Sequence, residues 1–121
     1  AEDMIGESKR LRRVQKMLTD SQNTEFIAIS ILEGMSQLEA ERLLMSLDRL
    51  NIPCHNLVVN MMVPPTDCGF CSLKRRGQQQ YLVKFKKEEK YSKYQITELS
   101  LLPQKVKGVE DLTKIATILY D

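Results

Sequence analysis

The 121-residue chain lacks most of the features on which a catalytic function could rest. No G-x-x-x-x-G-K-S/T phosphate loop occurs, and the five glycines are scattered at positions 6, 34, 69, 77 and 108. A Ser, His, Asp or metal-hydrolase constellation is missing too. His55 is the single histidine, and close to the helix-stopping Pro53 it reads as a surface or packing residue rather than a general base. By itself, then, the chain is expected to catalyse nothing. No apolar run approaches the roughly 18 residues that cross a bilayer, and Ala1-Glu2-Asp3 opens an acidic, helical-looking stretch unlike a secretion signal. Eighteen Lys and Arg against 16 Asp and Glu leave a net charge of +2, too little to argue for a polyanionic partner. The basic residues Lys74, Arg75, Arg76, Lys84, Lys86, Lys87 and Lys90 share a helix with Glu88 and Glu89, which predicts a solvated face and no nucleic-acid binding. Three cysteines, an odd number, argue against a secreted disulfide framework and for a reducing compartment, with the cytosol as default. Without repeats, low-complexity tracts or a flexible linker, the length fits one domain with one core. The absence of an initiating Met suggests a piece of something longer.

What is present is an alternation of two periodicities. Leu11, Val14, Met17 and Leu18 recur at helical spacing over about residues 2–18, with Lys9, Arg10, Arg12, Arg13 and Lys16 on the other face. After the turn formers at 19–23, Phe26 to Leu32 is almost continuously apolar, which predicts a strand buried on both faces. Ser36-Gln37-Leu38-Glu39 has the capping-box pattern and predicts a helix starting at Ser36. Its stripe of Leu43, Leu44, Leu47 and Leu50 ends before Ile52-Pro53. Leu57 to Met62 reads as a second buried strand, so that 26–62 forms one right-handed strand-helix-strand unit. A long polar helix follows from about Ser72 to Lys93, turning Leu73, Tyr81, Leu82 and Phe85 inward. A third strand, Gln95 to Leu99, and a helix after Gly108 with Val109, Leu112, Ile115, Ala116 and Leu119 on one side complete the pattern. Methionines 4, 17, 35, 45, 61 and 62 are expected to pack in the core or fill its irregular gaps. The fold class is α/β, a parallel sheet with flanking helices. Three strands are few for such a sheet, which hints at further strands supplied from elsewhere.

The sharpest chemical signal is Cys68-Gly69-Phe70-Cys71. Two thiols in a tight C-x-x-C turn face the same side of the backbone and make half a tetrahedral zinc site. The other thiol and the imidazole, Cys54 and His55, precede the second strand. At a strand rise of roughly 3.3 Å per residue they lie about 20 Å away, at the opposite end. The remaining two ligands would then come from a second copy of the chain across a two-fold axis. A redox dithiol, its thiolate stabilised by a helix N-terminus, and a pair of inert thiols are the competing readings. Ligands of open α/β sheets sit beyond the carboxyl ends of the strands. That singles out Glu33-Gly34-Met35, the amide Asn60 that closes the second strand, and Ser100-Leu101-Leu102-Pro103. An amide both donates and accepts, as recognition of an adenine edge requires; satisfying nearby backbone groups is the plainer role for Asn60.

Several motifs follow one another in order: Thr24-Glu25-Phe26, Glu33-x-x-Ser36-x-x-Glu39-x-Glu41-Arg42-Leu43, and Val58-Val59-Asn60. Then come Cys68-x-x-Cys71 with Arg75-Arg76 and Gln79-Gln80-Tyr81-Leu82, Leu101-Leu102-Pro103, and Val106-Lys107-Gly108-Val109-Glu110-x-Leu112. Together, over nearly the whole chain, they resemble the C-terminal part of the arsenical pump-driving (anion-transporting) ATPase family, which includes the ATPase that targets tail-anchored membrane proteins. The resemblance implies that residues 1–121 are the C-terminal portion of a SIMIBI-type P-loop NTPase domain whose phosphate-loop half is absent. It implies a homodimeric, cytoplasmic parent, with room for peripheral attachment to a membrane, that hydrolyses ATP with Mg2+. A Zn2+ ion would be shared between two chains through Cys68 and Cys71, as a staple rather than a Lewis acid. Glu33 and Asn60 would lie around the nucleotide, and Ser100 and Leu101 would line the adenine pocket. Leu32 and Ser100 stand where the family has proline. The partner would be a tail-anchored membrane protein held in a Met-rich apolar groove or, alternatively, an arsenite efflux pump in the membrane. A non-enzymatic zinc or thiol dimerisation module is the reading from another class.

Overall fold

Parallel strands leave their carboxyl ends on one edge of a sheet, so each connection must cross back over a face before the next strand begins. The computed structural model, which describes residues 2–120, does this twice. Strands β1 (Ile27–Ile31), β2 (Asn56–Met62) and β3 (Gln95–Ser100) lie parallel in that order. Helix α2 (Gly34–Arg49) joins the first pair. Helix α3 (Gly69–Lys87) and a 3-10 turn at Glu89–Tyr91 join the second. Helices α1 (Glu2–Thr19) and α4 (Gly108–Tyr120) stand before and after this unit. The α/β parallel arrangement expected from the alternating periodicities is therefore the one that forms.

One apolar cluster holds the layers together. Leu44 and Leu47 of α2, Leu82 and Phe85 of α3, and Ala28, Leu57 and Val59 of the strands meet in it. Across its surface the Lys84 ammonium of α3 lies 3.3 Å from the Glu41 carboxylate of α2. Both crossover helices thus cover the same face. That explains the first departure from expectation: β1 is not buried on both sides. Ala28 and Ser30 are buried under α2, whereas Ile27 and Ile29, on the other face of the strand, are 46% and 63% exposed.

Other boundaries also shift. Helix α2 begins at Gly34, with Glu33 as its N-cap and no side-chain cap bond. The Ser36 N–H bonds instead to the Glu33 carbonyl at 2.9 Å, and Glu39 turns outward to Arg42 at 3.1 Å, so the capping box does not form. Helix α3 starts at Gly69, drawing Cys71 into its first turn, and stops at Lys87 rather than Lys93. It stops there because Tyr91 and Tyr94 turn back into the core: the Phe85 and Tyr91 rings meet at a tilt of 50° with centroids 4.6 Å apart. Leu82 and Phe85 are buried and Tyr81 packs against the core as expected, but Leu73 is exposed and Gln78 joins the inward stripe of α3. Helices α1 and α4 bury no residue, so their apolar stripes are unsheltered. Of the methionines only Met62 is buried; the other five are exposed and do not fill the core.

Candidate functional site at the carboxyl edge of the sheet

The strand ends gather the expected residues on one edge. Glu33 follows β1, Asn60 lies opposite Ile31 near the end of β2, and Ser100 closes β3 opposite Met62. The Leu101 N–H donates to the Met62 carbonyl at 2.8 Å, which fastens the exit of β3 to that of β2. Strand β2 does not close at Asn60; it runs on two residues to Met62 through an irregular pairing. Asn60 is half-buried and lines an open groove of about 650 Å³ with Ser30, Ile31, Met35, Ser36, Glu39 and Leu43. That volume is within the range of small-ligand sites. Glu33, Ser100 and Leu101 do not line it. The Glu33 carboxylate is turned to the Lys74 ammonium of α3, 2.9 Å away. The structure thus brings Asn60, Ser100 and Leu101 to adjoining strand ends and ties Glu33 to the cysteine-bearing helix, without enclosing all four in one cavity.

The Asn60 amide is already half committed. Its Oδ1 accepts the Met61 N–H at 2.8 Å, and its Nδ2 has no hydrogen-bond partner among the described residues. The backbone-satisfying role is therefore real, but it uses only the acceptor end and leaves the donor free.

Cys68 is the N-cap of α3 and Cys71 lies in its first turn; both are free thiols, the first exposed and the second half-buried. Cys68 makes no formed side-chain cap bond, yet the nearby Cys71 N–H, and then the Cys71 thiol, hold its pKa below the ordinary thiol value. Cys71 is pushed up, first by that same contact with Cys68 and then by desolvation. Cys68 at the N-cap and Cys71 three residues on thus lie within one turn of the helix start, the spacing that two donors to one soft cation require. Among the described residues no group of three or more His, Cys, Asp or Glu side chains is gathered to hold a metal ion. The pair fits half of a tetrahedral thiolate site and no more.

Cys54 and His55 sit at the amino edge, as the strand-length argument requires. Cys54 is buried, and burial raises its pKa. His55 Nδ1 lies 2.9 Å from Glu25 Oε2, while Glu25 Oε1 accepts the His55 N–H at 2.7 Å and Asn56 Nδ2 at 3.2 Å. Neither group reaches the thiol pair.

Sequence reasoning missed Gln78 and Arg75, whose side chains bond the backbone of Met61 and Val63. A signal existed: Cys71, Arg75, Gln78, Leu82 and Phe85 recur at helical spacing on one stripe, and a glutamine in an inward stripe must have backbone to bond.

The sequence model of a family described as anion-transporting ATPase matches residues 1–121. ATPase GET3B of Arabidopsis thaliana is 31% identical over 114 residues, covering 93% of this chain and 28% of that protein. ATPase get3 of Schizosaccharomyces japonicus is 34% identical over 118 residues, covering 96% of this chain and 36% of that protein. An ATPase ASNA1 homolog of Dictyostelium discoideum is 36% identical over 97 residues, covering 79% of this chain and 29% of that protein. The chain spans about a third of the length of the curated relatives it matches.

Proposed function

The chain belongs to the anion-transporting ATPase family, and from that premise we propose that it is the C-terminal portion of an ATP-hydrolysing protein that targets tail-anchored membrane proteins in the cytoplasm. In this reading it contributes the adenine side of the ATP site and a zinc-bridged contact between two copies. The observation that carries it is that Cys68 and Cys71 open α3 on the same sheet edge as Asn60, Ser100 and Leu101. Cys68 and Cys71 would supply two thiolates, and a two-fold-related copy the other two, to a structural Zn2+ with no open position for chemistry. Asn60, Ser100 and Leu101 would face the base of ATP. Residues beyond 1–121 would hold its phosphates and Mg2+, since this chain has no phosphate loop. In the parent, the dimer would close on nucleotide and reopen after hydrolysis, with the thiol contact as its fixed hinge.

Two observations favour client targeting over arsenite efflux. A trivalent metalloid is typically held by three thiolates, and the third thiol here, Cys54, is buried at the opposite edge. Five exposed methionines offer adaptable apolar surface of the kind that binds varied helices. Native mass spectrometry of the full-length parent under reducing conditions tests the shared site. Two chains carrying one zinc are expected, and metal-free monomers would refute it. Arsenite stimulation of the ATPase rate would turn the reading toward the pump, and co-purification of apolar helices supports targeting.

A further inference from the structure

Strand β2 leaves the sheet through a distortion that needs support. Val59 pairs with Glu98 and Met62 with Ser100, so Asn60 and Met61 oppose the single residue Leu99, a β-bulge. Met61 sits at φ 55°, the left-handed region that a residue with a side chain adopts at a cost. At a bulge the regular ladder is broken, and the freed backbone groups must bond elsewhere.

Helix α3 supplies the bonds. Gln78, only 1% exposed, donates its Nε2 to the Met61 carbonyl at 3.0 Å and accepts the Val63 N–H on Oε1 at 2.8 Å. Arg75 Nη1 donates to the Val63 carbonyl at 2.6 Å. With the Met61 carbonyl held from one side, the Met61 N–H is aimed at Asn60 Oδ1, 2.8 Å away. Only the oxygen end of an amide accepts a backbone N–H, so this bond also fixes the side-chain orientation. The Nδ2 is thereby turned away from the bulge, with no partner among the described residues, on a residue that lines the 650 Å³ groove.

We propose that Gln78 is a positioning residue of the nucleotide site: its buried amide clamps the Met61 bulge in the conformation that presents Asn60 Nδ2 as a hydrogen-bond donor to an acceptor nitrogen of the adenine ring. Arg75 braces the same clamp from the Val63 side. The inference rests on the ATP reading of the preceding subsection and adds to it the residue that aims the base contact. The buried amide explains its own presence. In the stripe that continues to Leu82 and Phe85 an apolar residue would leave the Met61 carbonyl and the Val63 N–H without these partners, and Gln78 is tolerated there because both ends of its amide are bonded.

A double-mutant cycle on ATP binding by the full-length parent tests this. Asn60→Ala is expected to weaken ATP binding about tenfold, the loss of roughly one hydrogen bond. Gln78→Met, which keeps the length and removes both bonds, is expected to weaken it by a similar factor. The double variant should bind no more weakly than Asn60→Ala alone, because Gln78 acts only through Asn60. A merely structural glutamine would give additive losses, and that result, or wild-type affinity in Gln78→Met, overturns the proposal. Wild-type affinity in Asn60→Ala overturns instead the placement of the base at Asn60, so the two failures are distinguishable. If Gln78→Met does not fold, Arg75→Met runs the same cycle. A twofold to fivefold loss that vanishes on the Asn60→Ala background supports the clamp, and unchanged affinity overturns it.

Discussion

The two edges of the sheet carry similar chemistry to opposite ends. At the amino edge a thiol, an imidazole, a carboxylate and an amide lie together, and their bonding is closed. Glu25 alone accepts from the His55 N–H, the His55 ring and Asn56, while Cys54 is sealed into the core cluster. At the carboxyl edge two thiols open a helix, and an amide has no partner for its donor end among the described residues. Residue types do not separate these edges. Topology does, since the strand-to-helix turns of a parallel sheet open at the carboxyl edge, where helix N-termini and loose strand ends leave bonding capacity unused.

Exchanging thiols for hydroxyls breaks the comparison most forcefully. Under the proposed zinc-bridged dimer, Cys68→Ser would remove one thiolate from each of two copies. It would then lower the zinc content of the proposed full-length parent from one per dimer toward none and weaken the dimer, read by metal analysis and native mass spectrometry. The same change at the other edge, Cys54→Ser, should leave zinc untouched. It puts a hydroxyl in the apolar cluster and is expected to cost about 1–3 kcal/mol of stability by denaturant titration. If Cys54→Ser loses metal, the two edges are not independent.

The smallest effect lies at the Glu25 contact. Partial burial pulls the Glu25 pKa upward, but hydrogen bonds from the His55 ring, the His55 N–H and Asn56 outweigh it and hold the pKa below the usual carboxylate value. A depressed folded-state pKa contributes stability that is present above the unfolded value, near 4.5, and is lost as pH falls through the folded one. Glu25→Gln should therefore cost less than about 1 kcal/mol near neutrality, because the contact is partly exposed. Its stability profile should also lose the wild-type decline below pH 4.5 that belongs to this group, read by thermal unfolding across pH.

Much of the fold was legible because period and burial coincide in β2. Its apolar run predicts a buried strand, and Leu57, Val58 and Val59 are all buried. Strand β1 shows the limit of that inference: an equally apolar run is bare on one face, since pattern records what a face could cover and not whether a cover is present. Helix starts were read late for a related reason. Ser36 and Glu39 match a capping box, but Glu33 and Gly34 had already begun the turn, and a four-residue pattern carries no information on which residue takes the first helical dihedrals. At the candidate site the separation of Cys54 and His55 from the cysteine pair follows from strand rise alone. The bulge at Met61 does not, since it depends on pairing with β3, more than thirty residues away.

By itself the sequence determined the α/β class, the thiol pair and the edge on which the chemistry-bearing residues collect, because each of these rests on local spacing or on strand length, and its ordered motifs carried the resemblance to the family. Only the tertiary structure decided which end of the Asn60 amide is free, that Glu33 is tied to Lys74, and that Gln78 and Arg75 grip the exit of β2. Those outcomes depend on which backbone groups a distorted strand leaves unpaired, and on which helix side chains lie within about 3 Å of them. No local pattern encodes such a distance.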